Sequence, residues 1–183
     1  MISPAAGTLL IANPFLKDPN FLRSVIFLCE HKEEGTLGFV LNKVFSKRLD
    51  QLIPGLEEFN IPVYYGGPVQ TDTLHFLHQY PDLIPGGEKV FENVYWGGNF
   101  EILLPYIKNN DIDLDKVRFF IGYSGWAAGQ LDDEMKEQSW LTVSAIRKLI
   151  FHKNPSEIWK DSLRHLGGDY KMMINYPLDP QLN

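Results

Sequence analysis

Residues 23–42 read RSVIFLCEHKEEGTLGFVLN, and this stretch carries the strongest structural signal in the chain. Two apolar runs, at 23–30 and 36–42, flank the polar segment KEEG at 32–35. Apolar runs of this length around a polar, glycine-containing turn predict a β-hairpin. A second clear strand, VRFFIGY at 117–123, leads into a glycine-containing loop. We therefore expect a sheet built around these strands to form the core.

The order of the predicted elements along the chain is mostly strands first and mostly helices afterwards. This order favours the α+β class over a regular βαβ alternation. We expect a single compact domain over residues 1–171, with a mixed, largely antiparallel sheet, helices packed on it and a helical C-terminal segment. Residues 172–183 are expected to form a tail. Further strands are predicted at 9–12, 63–65, 73–78 and 90–96, and helices after Asn99, at 131–137, at 139–151 and after Asn154.

Composition and charge narrow the functional classes. The chain has 183 residues, of which 44% are apolar, and its net charge of −6 disfavours broad binding to nucleic acids or anionic membranes. No apolar run is long enough to span a membrane, and the first residues do not resemble a secretory signal. Cys29 is the only cysteine, and its place in an apolar strand predicts a buried, inert thiol. A cytoplasmic location is the simplest prediction.

Three glycine-containing loops suggest a ligand-binding cleft. Backbone N–H groups at such turns can hold a carboxylate or a phosphate, and the loops would line one cleft if their strand ends lie side by side. The candidate ligand-binding residues are Gly66, Gly67, Pro68, Trp96, Gly98, Asn99, Tyr123, Ser124, Gly125, Trp126 and Gln130. The alternative, that each glycine pair serves only the geometry of its own turn, stays open.

The motif Gly122-Tyr123-Ser124-Gly125-Trp126 is the strongest catalytic candidate. A nucleophile elbow needs G-x-S-x-G, and Trp126 occupies the position of the second glycine. A small-molecule hydrolase in the glycine-loop cleft is therefore kept as an alternative, without an assigned catalytic residue. His75 and His78 would point to opposite faces of a strand, so no metal site is predicted. No cofactor motif is present, and no cofactor is predicted.

A set of short segments makes the chain resemble the YqgE/AlgH family of bacterial proteins. The matching segments run in the family's order from about residue 7 to residue 171: GTLLIA at 7–12, DPNFLRSV at 18–25, EH at 30–31, GTLGFVLN at 35–42, YGGPV at 65–69, LH at 77–78, GYSGWAAGQL at 122–131, and IW at 158–159 with Leu163 and Gly167. The family usually has alanine where this chain has Ser124. The resemblance implies a compact α+β domain in the bacterial cytosol and the label of transcriptional regulator, and it implies no established reaction, cofactor or catalytic residue.

The leading functional hypothesis is a non-enzymatic cytosolic protein that binds a protein partner or a small anionic ligand, with an indirect role in transcription. An alternative is a DNA-binding regulator that uses two helices within residues 139–166, joined by a turn short enough for a helix-turn-helix. The candidate nucleic-acid-binding residues are Arg147, Lys148, Lys153 and Arg164. The overall negative charge and the mixed charges of the second helix disfavour this alternative.

Overall fold

A computed structural model describes residues 1–178 of the chain. Its strands are β1 (Thr8–Ala12), β2 (Val25–Lys32), β3 (Gly35–Val40), β4 (Val63–Tyr65), β5 (Val69–His78), β6 (Glu88–Phe91), β7 (Val94–Trp96), β8 (Val117–Ala127) and β9 (Trp140–Ser144). They form one sheet in the order β6-β7-β5-β8-β3-β2-β1-β9, and β4 pairs with β8 in parallel. The other pairings are antiparallel, so the predicted mixed, largely antiparallel sheet is confirmed.

The helices lie mainly in the second half of the described residues. They are α1 (Leu49–Leu52), α2 (Phe100–Lys108), α3 (Gln130–Lys136), α4 (Arg147–Ile150) and α5 (Ile158–Leu166), with 3-10 segments at Leu114–Lys116, Pro155–Glu157 and Gly168–Asn175. Asn99 caps α2 and Asn154 caps the 3-10 turn that leads into α5, because each side chain accepts a backbone N–H of the first turn. No helix within residues 1–178 combines the length and the apolar character needed to cross a membrane.

The hairpin of β2 and β3 forms as the sequence predicts, with a register shift between Leu28 and Glu30. The first five residues of β2 are all apolar and buried because both faces of this part of the sheet are covered. Phe27 and Phe39 lie opposite each other on one face, which faces the main core. Leu28 lies on the other face, which α3 covers through Leu131.

The sheet is curled, and its concave face holds the largest core cluster. Phe91 of β6 packs against Gly7, which precedes β1, so strands distant in the sheet order come close together. Trp159 and Leu163 of α5 pack into this cluster and close one side of it. A second cluster covers the opposite face of β5 and β8 and includes α2. The concave face therefore holds the aromatic side chains of β3, β7 and β8, which include Phe39, Trp96 and Tyr123.

One predicted helix is wrong. The spacing of apolar residues at 139–151 predicts a helix, but residues 140–144 form β9, which pairs with β1 along its full length, and only Arg147–Ile150 is helical. Pairing with the open edge of β1 buries Trp140 and Leu141 on opposite faces, and this tertiary interaction outweighs a local helical pattern. The predicted strand at 90–96 is two strands, β6 and β7, separated by a turn.

The C-terminal helical segment is confirmed in α5, which ends at Gly167. The following 3-10 segment, Gly168–Asn175, crosses the boundary predicted between domain and tail, so that boundary stays a prediction. Tyr176 packs its ring against Phe15, and its carbonyl accepts a hydrogen bond from Arg23. The remainder of the predicted tail, 179–183, lies outside the described residues.

Candidate functional site

Two of the three glycine loops meet, and they meet through their backbones. Gly66 lies against the carbonyl oxygen of Gly122, and Gly67 lies against the peptide between Tyr123 and Ser124. A Cβ atom at Gly66 would overlap that carbonyl oxygen, so glycine is required for this close approach. The contact leaves no open space for a ligand between the two loops.

Ser124 is a structural residue in this contact. Its side chain is fully buried, and its Oγ donates a hydrogen bond to the Gly66 carbonyl oxygen at 3.0 Å. A catalytic serine needs an exposed Oγ next to a general base, and no histidine in the described part of the chain is hydrogen-bonded to it. The hydroxyl holds β8 to the loop after β4.

The third glycine loop lies elsewhere. Gly98 packs against Ile84 and Pro85, and the Gly97 carbonyl oxygen lies 3.0 Å from Nε2 of His78. Asn99 caps α2 by accepting a hydrogen bond from the backbone N–H of Ile102 at 3.2 Å. This loop therefore organises the start of α2, away from the contact between Gly66 and Gly122.

Trp126 and Gln130 lie on the convex side of the sheet, in a network centred on Glu134. Oε2 of Glu134 accepts hydrogen bonds from the indole N–H of Trp126 at 2.9 Å and from that of Trp140 at 2.7 Å. The Gln130 side chain donates to the other carboxylate oxygen at 3.0 Å. These bonds fasten α3 to the sheet, and the Trp126 side chain packs in the core on the convex side.

Trp96 and Tyr123 do come close, on either side of His75. The His75 ring centroid lies 6.2 Å from that of Trp96 and 5.9 Å from that of Tyr123. All three side chains are partly exposed, and Nε2 of His75 is buried without a hydrogen-bond partner in the described residues. Burial lowers the pKa of His75, so the ring is held towards its neutral form.

These rings belong to one end of the concave face, which we call the acidic–aromatic end. Glu30 lies opposite Leu37, and Glu88 lies opposite Trp96, and directly opposed residues share a face of the sheet. Burial raises the pKa of the Cys29 thiol, and the nearby charges of both glutamates raise it further. The members of this end are Glu30, Leu37, His75, Glu88, Trp96 and Tyr123.

The opposite end of the concave face contains a buried arginine, Arg118 of β8. Its guanidinium is 5% exposed and lies 3.7 Å from the centroid of the Tyr64 ring. It donates hydrogen bonds to the carbonyl oxygens of Leu41, at 2.6 Å, and His152, at 2.9 Å. Nε has no partner, and no carboxylate in residues 1–178 forms an ion pair with this side chain.

Burial of Arg118 has a measurable electrostatic consequence. Desolvation lowers the pKa of Arg118 from its ordinary value to about 10, and the electrostatic interaction with Tyr64 opposes this shift. The side chain is therefore a cation at neutral pH, although its charge is poorly compensated. A buried charge without a counter-ion is unfavourable and is stabilised when an anion approaches it.

A cavity of about 280 Å³ lies beside this arginine, and we call it the Arg118 cavity. Its walls combine apolar and polar side chains: Asn60, Ile61, Pro62, Tyr64, Leu114, Asp115, Val117, Arg118, Phe151, His152 and Lys153. Lys153 lies at the rim in an ion pair with Asp115. Nδ1 of His152 accepts the backbone N–H of Asn154, and Nε2 donates to Oδ2 of Asp161 at 3.0 Å. One end of the concave face thus offers carboxylates, and the other offers a buried cation.

The candidate nucleic-acid-binding residues are mostly engaged in ion pairs. These pairs join Arg147 to Glu92, Lys153 to Asp115, and Arg164 to Asp161 and Glu157. The predicted pair of helices is wrong because most of its first member is the strand β9, and the helical part, Arg147–Ile150, is a single turn. A helix-turn-helix does not form in this segment.

The cysteine and the two histidines of β5 lie as follows in the sheet. Cys29 is buried, as predicted. His75 and His78 lie three residues apart on β5, so their side chains point to opposite faces. Within residues 1–178, no group of three histidine, cysteine, aspartate or glutamate side chains is placed to hold a metal ion.

Arg118 is not among the candidate site residues predicted from the sequence, although the sequence contains a signal that it is buried. Arg118 interrupts the apolar run at 117–123, and it alternates in phase with Phe120. When both faces of a strand are covered, a charged residue inside it has to be buried. An arginine within such a run therefore marks a buried cation, which is rarely found without a partner.

Comparison with known proteins gives a consistent result. A family model described as AlgH-like matches residues 9–171. A UPF0301 protein of Chlorobium limicola is 42% identical over 177 residues, covering 97% of this chain and 95% of the relative. A UPF0301 protein of Parabacteroides distasonis is 43% identical over 184 residues, covering 100% of this chain and 93% of the relative.

Two solved structures share the fold. The solution structure of the AlgH protein from Pseudomonas aeruginosa has a TM-score of 0.74 and 29% identity, with 97% of each chain covered. A crystal structure of a protein from Corynebacterium diphtheriae has a TM-score of 0.76 and 21% identity, covering 96% of this chain and 94% of the other. At that lower identity the second likeness shows the fold alone.

Proposed function

The chain belongs to the AlgH-like family, and from this premise we propose that it is a binding protein whose ligand is a small organic anion held in the Arg118 cavity. The observation that supports this proposal is the buried guanidinium of Arg118, which has two carbonyl partners and no carboxylate. The ligand's negative charge would supply the missing counter-charge.

The shape of the guanidinium favours a carboxylate or a phosphate. Arginine presents a planar set of N–H donors that matches two oxygens of such groups. The hydrogen bonds to the carbonyl oxygens of Leu41 and His152 fix the orientation of this set, and Tyr64 packs against its face. A preorganised donor loses little conformational entropy when it binds.

The walls of the cavity add a second requirement. Ile61, Val117 and Phe151 are apolar wall residues, and the volume of about 280 Å³ is near the lower limit of typical small-molecule pockets. A compact anion with an apolar body fits this lining better than a highly charged one. Lys153 at the rim can exchange its partner Asp115 for a ligand oxygen.

Calorimetric titration of the purified protein with benzoate and with inorganic phosphate tests this proposal. Benzoate supplies a carboxylate on an apolar ring, and phosphate supplies the charge without the apolar body. We expect benzoate to bind more tightly than phosphate, and Arg118→Met to weaken benzoate binding at least about tenfold, as expected for loss of a charged hydrogen-bonding partner.

Arg147→Met is the matched control, because it removes an exposed arginine outside the cavity. Thermal unfolding of both variants establishes that they are folded. Equal benzoate affinity in the Arg118→Met and wild-type proteins contradicts the proposal. No heat of binding with either anion at millimolar concentration also contradicts it.

We further propose that any role in transcription is indirect, through the bound ligand or a protein partner in the cytoplasm. Supporting observations are the net charge of −6 and the carboxylate partners of three of the four candidate DNA-contacting cations. A mobility-shift assay with random-sequence duplex DNA at low and moderate salt should show no retained complex. A complex that weakens steeply with salt and is lost on Lys148→Ala would contradict an indirect role.

A further inference from the structure

The acidic–aromatic end differs from the Arg118 cavity in being an open surface. A shallow hollow of about 370 Å³ lies over part of this end, where Glu30, Leu37 and Tyr123 line it. Its lining continues through Glu34, Val69 and Trp126, and Glu88 and Trp96 lie outside it. Both charged and apolar side chains therefore face the same space. Protein–protein interfaces likewise combine apolar contacts at the centre with a polar rim.

The aromatic members of this end provide π faces. Trp96 packs edge-on against buried Phe39, with ring centroids 5.8 Å apart, and Tyr123 packs edge-on against His75. Trp96 and Tyr123 each keep part of their surface exposed. The faces of such rings attract ammonium and guanidinium groups, most strongly for tryptophan.

The charged members are mainly acidic. Glu30 and Glu88 share the concave face with these rings, and Glu34 follows in the adjacent turn. Lys32 is the nearby cation, and its Nζ lies 3.2 Å from Oε2 of Glu30. Lys32 is 60% exposed, so its weak surface ion pair can be displaced by a competing cation.

We propose that the acidic–aromatic end is a docking surface for a basic segment of a partner protein, with a lysine or arginine side chain placed between the glutamates and the rings. Charge complementarity selects this occupant, because a cation gains from both the carboxylates and the π faces. The apolar side chains of Leu37 and Val69 then receive the apolar neighbours of that cation. This surface is separate from the Arg118 cavity and acts independently of it.

The test uses a fluorescently labelled short peptide of alternating arginine and leucine, with a peptide of alternating glutamate and leucine as its acidic counterpart. Fluorescence anisotropy measures binding to the full chain. We expect the basic peptide to bind and the acidic one not to bind. The double variant E30Q/E88Q should weaken binding about tenfold, because it removes two carboxylates from the surface.

The control variant is E58Q/E137Q, which removes the same total charge at exposed positions outside this surface. It should change the affinity by less than about twofold, as expected for distant, screened charges. Arg118→Met should leave peptide binding unchanged. A failure of the docking proposal can therefore be distinguished from a failure of the proposed anion site. Equal weakening by both double variants would show nonspecific charge attraction and overturn the proposal.

Backbone amide chemical shifts locate the peptide without any substitution. The largest changes on titration should fall on residues of the acidic–aromatic end, including Leu37, Trp96 and Tyr123. Changes confined to other surfaces, or no binding of the basic peptide at millimolar concentration, would also overturn the proposal.

Discussion

The two ends of the concave face place charge in opposite ways. Arg118 is almost completely buried, and its desolvation shifts its own pKa. Glu30 and Glu88 are at least partly exposed, and their effect appears on a neighbour, the buried thiol of Cys29. Tyr123 and Arg118 lie on the same strand, β8, so a few residues of backbone separate the two ends.

The difference in burial suits the two ends to different ligands, a small molecule at one end and a protein at the other. A buried cation makes strong, directional interactions because water does not screen it, and it suits a small ligand that enters a cavity. Exposed carboxylates make weaker, salt-sensitive interactions and suit a protein partner that approaches over a surface. The two ends should therefore respond differently to substitution, to pH and to loss of the contacts that hold them in place.

The largest expected effect is on the glycine contact between the two ends. In Gly66→Ala, the added Cβ would overlap the Gly122 carbonyl oxygen, and backbone atoms cannot move as a flexible side chain can. We expect a loss of about 4 kcal/mol of unfolding free energy, in the range of severe core disruptions, with both ends disturbed. Urea denaturation followed by circular dichroism measures it.

Gly129→Ala is the control for the glycine contact. Gly129 has a φ of 74°, but no atom lies within 4 Å of an added Cβ, so only the backbone strain of about 1 kcal/mol is expected. An equal loss in the two variants would show that the close approach of β4 and β8 is not what destabilises Gly66→Ala.

The next effect concerns a carboxylate whose partners are all within the protein. Glu134→Ala leaves the indole N–H groups of Trp126 and Trp140 without their shared acceptor. We expect a loss of about 2 kcal/mol and a red shift of tryptophan emission. Glu30→Ala should cost less than about 0.5 kcal/mol, because its ion pair with Lys32 is on the surface.

The third effect is the pH dependence of the Arg118 cavity. Burial lowers the pKa of Arg118 to about 10, so the cation is present below that pH and is lost as the pH rises through it. The benzoate association constant should be constant from neutral pH to about pH 9 and fall about tenfold by about pH 11. A constant affinity over that range would show that benzoate does not bind at this cation.

The smallest effect concerns His75 at the acidic–aromatic end. Burial lowers the pKa of His75 in the folded protein. As the pH falls, the unfolded chain therefore binds a proton at a higher pH than the folded protein does, and stability falls as the pH drops through about 6.5. In His75→Leu, the stability lost between about pH 7.5 and pH 5.5 should be about 0.3 kcal/mol smaller, allowing for partial exposure. An unchanged pH dependence in urea denaturation would show that His75 does not contribute.

Strands with strong local patterns could be predicted from the sequence. The hairpin of β2 and β3, the strand β4 and the caps at Asn99 and Asn154 depend on residues near one another in the chain. The prediction of a helix at 139–151 failed. The spacing of its apolar residues suits a helix, but most of the segment pairs with the distant strand β1. Long-range pairing leaves no trace in a local window.

The candidate site could be predicted only in part. The sequence singles out Trp96 and Tyr123, and each lies next to His75, which the sequence pattern suggests only as a metal ligand. Trp126 was placed in the same cleft, and it faces the other side of the sheet. One extra or missing residue in a bulged strand reverses the face of every later side chain, and local spacing does not reveal it.

By itself, the sequence determines the fold class, the core strands and the family, because these depend on local pattern and on the order of short segments along the chain. The tertiary structure alone decides that the glycine loops pack together instead of opening a cleft, and that Arg118 is a buried cation beside a cavity. Burial and electrostatic compensation are properties of neighbours in space. Only the curl of the sheet brings Arg118, Tyr64 and His152 together at one end and the glutamates and aromatic rings together at the other.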